Sequence, residues 1–404
     1  MRMFTKLSFA VLSLATGLLA VAACGDDESN AVRDRDGGST DGAANDAAVE
    51  AGPNTLACGV MVPSTYVSPN FSVNAKEALD LKEHFEELED KMKTAEGTGT
   101  AAVTAAEIDA IFRASAPSLY SVATAAAQAT VSGYITAFGE VAGAPPTKTW
   151  TPLDAEAEGG AATGGKYENA NIFSATGVDL REAIAKTLLG GALYNYALGV
   201  AAGPQSEATI DKLVAIFGAT TKFANRTDAD AAPDEKDELI AEYASRRDNK
   251  ALASAPLGPY RKVRNALLVA KAASTNVEKC RADLDSAMKI YFLEWEKATY
   301  LTAIFYLNAS ATNAQTMPVK GAAALHGFGE AIGFIQSFKG IPQDRRKITD
   351  AQIDSLQQRV GAATPYKLIT DTNARIVAFN AAFNDIGAIY GLTPTEIEDA
   401  KKAY

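Results

Sequence analysis

Residues 178–201 read Val-Asp-Leu-Arg-Glu-Ala-Ile-Ala-Lys-Thr-Leu-Leu-Gly-Gly-Ala-Leu-Tyr-Asn-Tyr-Ala-Leu-Gly-Val-Ala. Leu180, Ile184, Leu188, Leu189, Ala192, Leu193 and Tyr196 recur at intervals of three and four, which puts them on one broad face of a helix. The same spacing governs the chain from about Lys76 onward, and the β-branched alternation that would mark strands is rare. The pattern predicts helices over Asn74 to Lys93, Ser118 to Val141, Glu207 to Phe217, Glu235 to Arg246, Pro259 to Ala273 and Asn276 to Asn308. Further helices are expected over Lys320 to Phe338, Asp350 to Val360, Thr372 to Tyr390 and Pro394 to Ala403. Local start signals agree: Thr104-Ala-Ala-Glu107 is a capping box ahead of Ile108, Thr349 precedes Gln352 by three, and Thr393 is followed by Pro394 at the first helical position.

The fold class that follows is all-α, arranged as two adjacent or duplicated helical bundles within residues 55–404, with halves of about 70–230 and 231–404. A faint internal repeat supports the duplication. Val178 to Ala201 with Ala208 to Gly218 is similar to Ser286 to Ala309 with Leu325 to Ser337, which aligns Tyr196 with Tyr306 and Lys212 with Glu330. One stretch breaks the period: Gly143 to Gly177, with Pro145-Pro146, Trp150, Tyr167 and two Gly-Gly pairs, reads either as a lid or binding loop or as a surface excursion.

The first fifty residues are an address. Met1 to Ala23 carries Arg2 and Lys6 and then an apolar run, a secretory leader rather than a spanning helix. Val21-Ala22-Ala23-Cys24 resembles the bacterial lipobox, whose cysteine is lipidated and becomes the new N-terminus; cleavage at an Ala-x-Ala site near Ala20-Val21-Ala22 is the alternative. Residues 24–54 are acidic, rich in Gly, Ser, Asn and Ala, and too polar to offset their ordering entropy, so they form a tether. Gly25-Asp26-Asp27-Glu28 resembles acidic surface-export signals, or is a plain spacer. The expected location is the bacterial envelope, at the outer membrane, held by the N-terminal lipid. In that oxidising compartment Cys58 and Cys280 are candidates to pair.

Among 404 residues, 38 Lys and Arg stand against 49 Asp and Glu, a net charge of −11 with no long basic run. A field of that sign excludes nucleic acid as the main partner. Two histidines, His84 and His326, exclude a three-histidine metal site. No Gly-rich phosphate loop follows a strand, and neither Cys-x-x-Cys nor Gly-x-Ser-x-Gly occurs.

Three constellations remain. His326 and Glu330 lie one turn apart, within reach of one metal ion, on the side of their helix opposite Phe328, Ala331, Ile332, Phe334, Ile335 and Phe338. On a surface helix that stripe is solvated; between two bundles it lines a cleft. Glu294, Glu296 and Lys297 flank Trp295 in a helix apolar on all sides, where charges are paired or functional. Their expected partners are each other or Arg246 and Arg247, with a buried polar site as the second reading. Ser245-Arg246-Arg247-Asp248 supplies a cationic helix end.

Several of these segments, Asp179 to Tyr196, Glu242 to Asp248, Trp295-Glu-Lys297 with Tyr306-Leu-Asn308, His326 to Ala331 and Ile348 to Asp354, resemble an uncharacterised family of bacterial lipoproteins found in imelysin-like envelope systems. The resemblance implies an all-α fold of duplicated bundles and an association with iron acquisition; imelysins were also once described as peptidases. Their Gly-x-His-x-x-Glu signature is not matched, because Ala324 precedes His326 and Gly329 stands where the glutamate would be, with Glu330 one residue late. In the first half, Thr209-Ile-Asp-Lys212 stands where His-His-x-x-Glu is common. The expected function is a non-enzymatic binding or accessory module in metal or haem uptake, with iron or haem as the implied cofactor. The alternatives are a metal-dependent hydrolase using His326 and Glu330, and a surface scaffold for another envelope protein.

Overall fold

A computed structural model of the chain describes residues 55–97, 101–143, 149–157, 163–168, 171–225, 227, 231–232, 234–248 and 257–402. Cys24 and the segments expected as a leader and an acidic tether lie outside the described residues.

The chain is all-α. A short α1 (Phe71–Asn74) leads into α2 (Lys76–Lys93), α3 (Ala105–Phe112), α4 (Leu119–Val122) and α5 (Ala125–Ala142). The stretch expected as one helix from Ser118 is thus two. Thr124 is extended and accepts the Ala127 amide as an N-cap, while Gln128 Nε2 donates to the carbonyls of Tyr120 and Ala123 that the break leaves open. The aperiodic stretch holds α6 (Pro152–Ala157) and a two-residue antiparallel pair, β1 (Gly165–Lys166) and β2 (Ile172–Phe173).

Next come α7 (Leu180–Leu188), a π-helical segment over Leu189–Tyr194, α8 (Asn195–Ala202) and α9 (Glu207–Phe217). The wide turn has a use: the Gly191 carbonyl accepts the Thr124 amide at 2.8 Å and so fixes the start of α5. The remaining helices are α10 (Leu239–Arg247), α11 (Pro259–Ser274), α12 (Arg281–Gln315), α13 (Gly321–Gln336), α14 (Asp350–Val360), α15 (Lys367–Thr370), α16 (Thr372–Tyr390) and α17 (Pro394–Ala400). All three sequence-level start signals are formed, with the Thr104, Thr349 and Thr393 hydroxyls each capping an amide three residues on.

The long α12 is the axis. It is enclosed on all sides from Glu294 to Leu307 and packs against α11, α13, α10, α16 and α17. Around the fully buried Trp295, Tyr194, Phe217 and Tyr291 close in edge to face with ring centroids 5.4–5.7 Å away. One apolar cluster runs from Leu56 to Ala400, and α7 lies directly on α13, so the halves about 70–230 and 231–404 share a core. Cys58 and Cys280 are bonded, with Cα atoms 5.2 Å apart, stapling the N-terminal extension to the start of α12. Among the described residues, no helix is long and apolar enough to cross a membrane.

Candidate metal centre

Every residue of α7 is buried, Arg181, Glu182 and Lys186 included. Such a helix can carry three charges only if a neighbour answers them. Glu89 of α2 and Glu96 just beyond it answer from one side and His326 and Glu330 of α13 from another, and the glycines of α13 allow its approach. A Cβ on Gly329 would stand 2.7 Å from the Asp179 Cβ, and one on Gly333 would stand 2.7 Å from the Lys186 Cβ. With hydrogens there instead, the two backbones close up, and the charged edge of α7 meets the His326/Glu330 edge of α13.

The contacts are specific. Asp179, the N-cap of α7, places Oδ2 3.0 Å from His326 Nδ1, and the Asn171 amide of β2's lead-in lies 2.9 Å from the same nitrogen. Glu182 sits 2.6 Å from Arg181 Nη2 and 2.9 Å from Lys186 Nζ. Lys186 is also 3.8 Å from both Glu89 and Glu330. Arg181 reaches Glu96 at 2.7 Å. One ligand atom from each of Glu182, His326 and Glu330 can be chosen so that all three lie within 4.8 Å of one another.

The five carboxylates of Glu89, Glu96, Asp179, Glu182 and Glu330 outnumber Arg181, Lys186 and the imidazole. The excess shows in the titration of its members. Burial works against the His326 cation, but the Asp179 hydrogen bond and the charges of Glu182 and Glu330 prevail and hold it up at about 10. Burial likewise opposes the Lys186 cation, and Glu182 with its neighbours raises it regardless. Glu96 is pushed up, first by burial and then by Asp179 and Glu182, against the pull of Arg181. Beside the cluster is a cleft of about 440 Å³, walled by α2, α10, α12 and α13 and lined by Glu89, Lys186, Tyr243, Tyr306, His326 and Glu330.

The solvated-stripe reading of His326 and Glu330 is therefore corrected: Glu330 is buried, and α13 is covered by α12 on one side and α7 on the other. A helical wheel scores Gly329 and Gly333 as non-apolar, whereas here they are the contact itself. Sequence reasoning missed Asp179, Arg181, Glu182 and Lys186. Their signal was available, since four charges in eight residues interrupt an otherwise apolar helix.

The polar site expected around Glu294, Glu296 and Lys297 does not form, and those residues point apart. Glu294 pairs with Lys262 at 3.2 Å, and Lys297 faces Glu396 at 3.6 Å. Glu296 accepts the Lys347 and Ile348 amides and the Tyr390 hydroxyl, the last at 2.6 Å, and so anchors the connection from α13 to α14. Burial still pushes its carboxyl up. Arg246 pairs with Glu242 at 2.6 Å on the cleft wall, Arg247 donates to the Ala400 and Lys402 carbonyls, and Asp248 caps α11 by accepting the Tyr260 and Arg261 amides. Each ties one helix end to another. Neighbours in sequence on a fully enclosed helix face different helices, so adjacency there does not make a site.

Trp150 is buried, with its ring stacked on Phe173 and edge-on to Tyr167 at centroid distances of 5.7 and 5.8 Å. This aromatic clasp seats the aperiodic stretch beside α13 and delivers Asn171 to His326. The aligned pair of the repeat does not make a second site, because Lys212 reaches Glu77 at 2.6 Å whereas Glu330 lies in the buried cluster. No family model matches the chain, and no curated protein or solved structure matches it either.

Proposed function

We propose that this chain is a non-enzymatic binding protein of the bacterial envelope, anchored by lipid at Cys24, which takes a divalent metal ion on Glu182, His326 and Glu330 in the buried cluster beside the cleft. The observation that carries the reading is the convergence of those three ligand groups, which an ion would join by displacing the proton that the surrounding carboxylates hold on His326. Two carboxylates and one imidazole form an oxygen-rich borderline donor set suited to Mn²⁺, Fe²⁺ or Zn²⁺. The surplus of buried negative charge favours a cation there.

The walls of that cleft carry Glu86, Glu89, Asp90, Glu238 and Glu242 beside Phe85, Leu239, Phe305 and Tyr306, an acidic lining that favours a bare cation over a haem with its two propionates. The resemblance to imelysin-like lipoproteins supports an uptake role for a non-haem metal. Direct analysis tests the reading: protein loaded with each ion and then desalted should retain about one ion per chain, and retention of none overturns it. For the anchor, Cys24→Ala should move the protein from the membrane fraction to the soluble fraction; an unchanged distribution overturns that part.

A further inference from the structure

A second cleft, of about 510 Å³, is bounded by the π segment and α8, the first turns of α12, and residues 344–347. In a chain of net charge −11 its lining is locally inverted, with Arg281, Lys289, Arg345, Arg346 and Lys347 against Asp285, Glu296 and Asp344. Glu296 is taken up by the Lys347 and Ile348 amides and Tyr390, and Asp344 offsets Arg345 at 3.3 Å, which leaves Arg281, Lys289, Arg346 and Lys347 against Asp285 in the lining. The floor is apolar, formed by Leu198, Leu284, Met288, Phe292 and Leu293.

Arg346 is the unusual member. Its side chain is only 3% exposed, and one nitrogen, Nη2, donates to Asp350 at 2.8 Å. Its Nε and Nη1 are buried and find no hydrogen-bond partner among the described residues. A guanidinium cannot shed its proton to escape burial, and two idle donors in a low-dielectric pocket cost free energy that an incoming oxyanion returns. Four further cations at the rim raise the local concentration of anions.

We propose that this cleft binds an amphiphile with an oxyanion head, the head at Arg346 and the apolar body along Met288 and Phe292. This is independent of the metal reading: none of its residues contributes to the Glu182, His326 and Glu330 cluster.

The test is calorimetric titration of the full protein with decanoate below its micelle concentration, compared with acetate and with decyltrimethylammonium. Decanoate should bind saturably, about tenfold or more tighter than either comparator. Arg346→Leu should weaken decanoate by about tenfold. Because Arg346 also holds Asp350, the exposed double substitution Lys289→Glu with Arg345→Glu provides a second reading, with an expected loss of about threefold or more. Absence of saturable decanoate binding overturns the proposal. So does equal binding of acetate or of decyltrimethylammonium, or unchanged decanoate affinity in the folded double variant.

Discussion

Asp179 and His326, 147 residues apart, meet at 3.0 Å through the carboxylate Oδ2 and the ring Nδ1. The contact joins the N-cap of α7 to the middle of α13. It exists because α13 is glycine where α7 crosses it. The same crossing brings Glu182 and Glu330 to the imidazole, so packing and site are one arrangement.

Bulk at the crossing should therefore be costly. Gly333→Ala puts a methyl against the Lys186 Cβ, with the Ala183 and Glu182 carbonyls 3.2 Å away, where backbone cannot yield. The expected loss is roughly 1–3 kcal/mol despite the better helix propensity of alanine. Gly199 in α8 is the control, since a Cβ there meets nothing within 4 Å. Gly199→Ala should stabilise by roughly 0.5–1 kcal/mol. Urea unfolding of the two variants reads both signs, and a Gly333→Ala protein as stable as wild type would contradict the close approach.

Lys186 is 3% exposed and within 4 Å of Glu89, Glu182 and Glu330. Lys186→Met leaves those carboxylates without their central cation and should cost roughly 3–5 kcal/mol. A divalent ion should recover part of that loss, because it supplies the missing charge. Thermal melts with and without Zn²⁺ measure both effects, and a melting point unmoved by the substitution would contradict the charge assignment.

The Cys58–Cys280 bond spans 222 residues of sequence, so it removes a large loop-closure entropy from the unfolded chain. Replacing both cysteines by alanine should cost roughly 2–5 kcal/mol. Denaturation under non-reducing conditions should show the loss, and wild type under strong reductant should fall to the same midpoint.

Asp211 on α9 gathers Tyr66 at 2.5 Å, Ser68 and Asn74 at 2.7 Å, and Lys271 of α11 at 3.0 Å. Burial would raise its carboxyl, but these hydrogen bonds outweigh it and hold the group below the ordinary range. A lowered folded pKa contributes stability that is complete above the unfolded value of about 3.9 and disappears as pH falls through the folded one. Asp211→Asn should accordingly be destabilised at pH 6, and the gap from wild type should narrow steadily as the pH drops below about 4. A gap that stays constant with pH would contradict the assignment.

Local signals were the readable part of the fold. Glu207–Phe217, Asp350–Val360 and Thr372–Tyr390 follow from apolar spacing alone, and the Thr104, Thr349 and Thr393 caps lie within four residues of what they cap. The π turn at Leu189–Tyr194 and the break at Thr124 were not readable, because each answers the other across the core through the Gly191 carbonyl. Half of the site was legible in the same sense. His326 and Glu330 share a helix and announce themselves by spacing, whereas Asp179 and Glu182 join them only through a helix crossing. The charges on α12 misled for a related reason: Glu294, Glu296 and Lys297 are neighbours in sequence, but α12 is surrounded and each side chain leaves toward a different helix.

The most direct test of the central claim is calorimetric titration of the purified protein with Zn²⁺, set beside His326→Ala and Glu182→Gln. Glu182 is the decisive residue, because it comes from the opposite half of the chain and has no role unless the crossing builds the site. The account predicts one ion per chain, bound at least about tenfold more weakly by Glu182→Gln and not measurably by His326→Ala. Binding that is absent in wild type, or equally tight in folded Glu182→Gln, would contradict it.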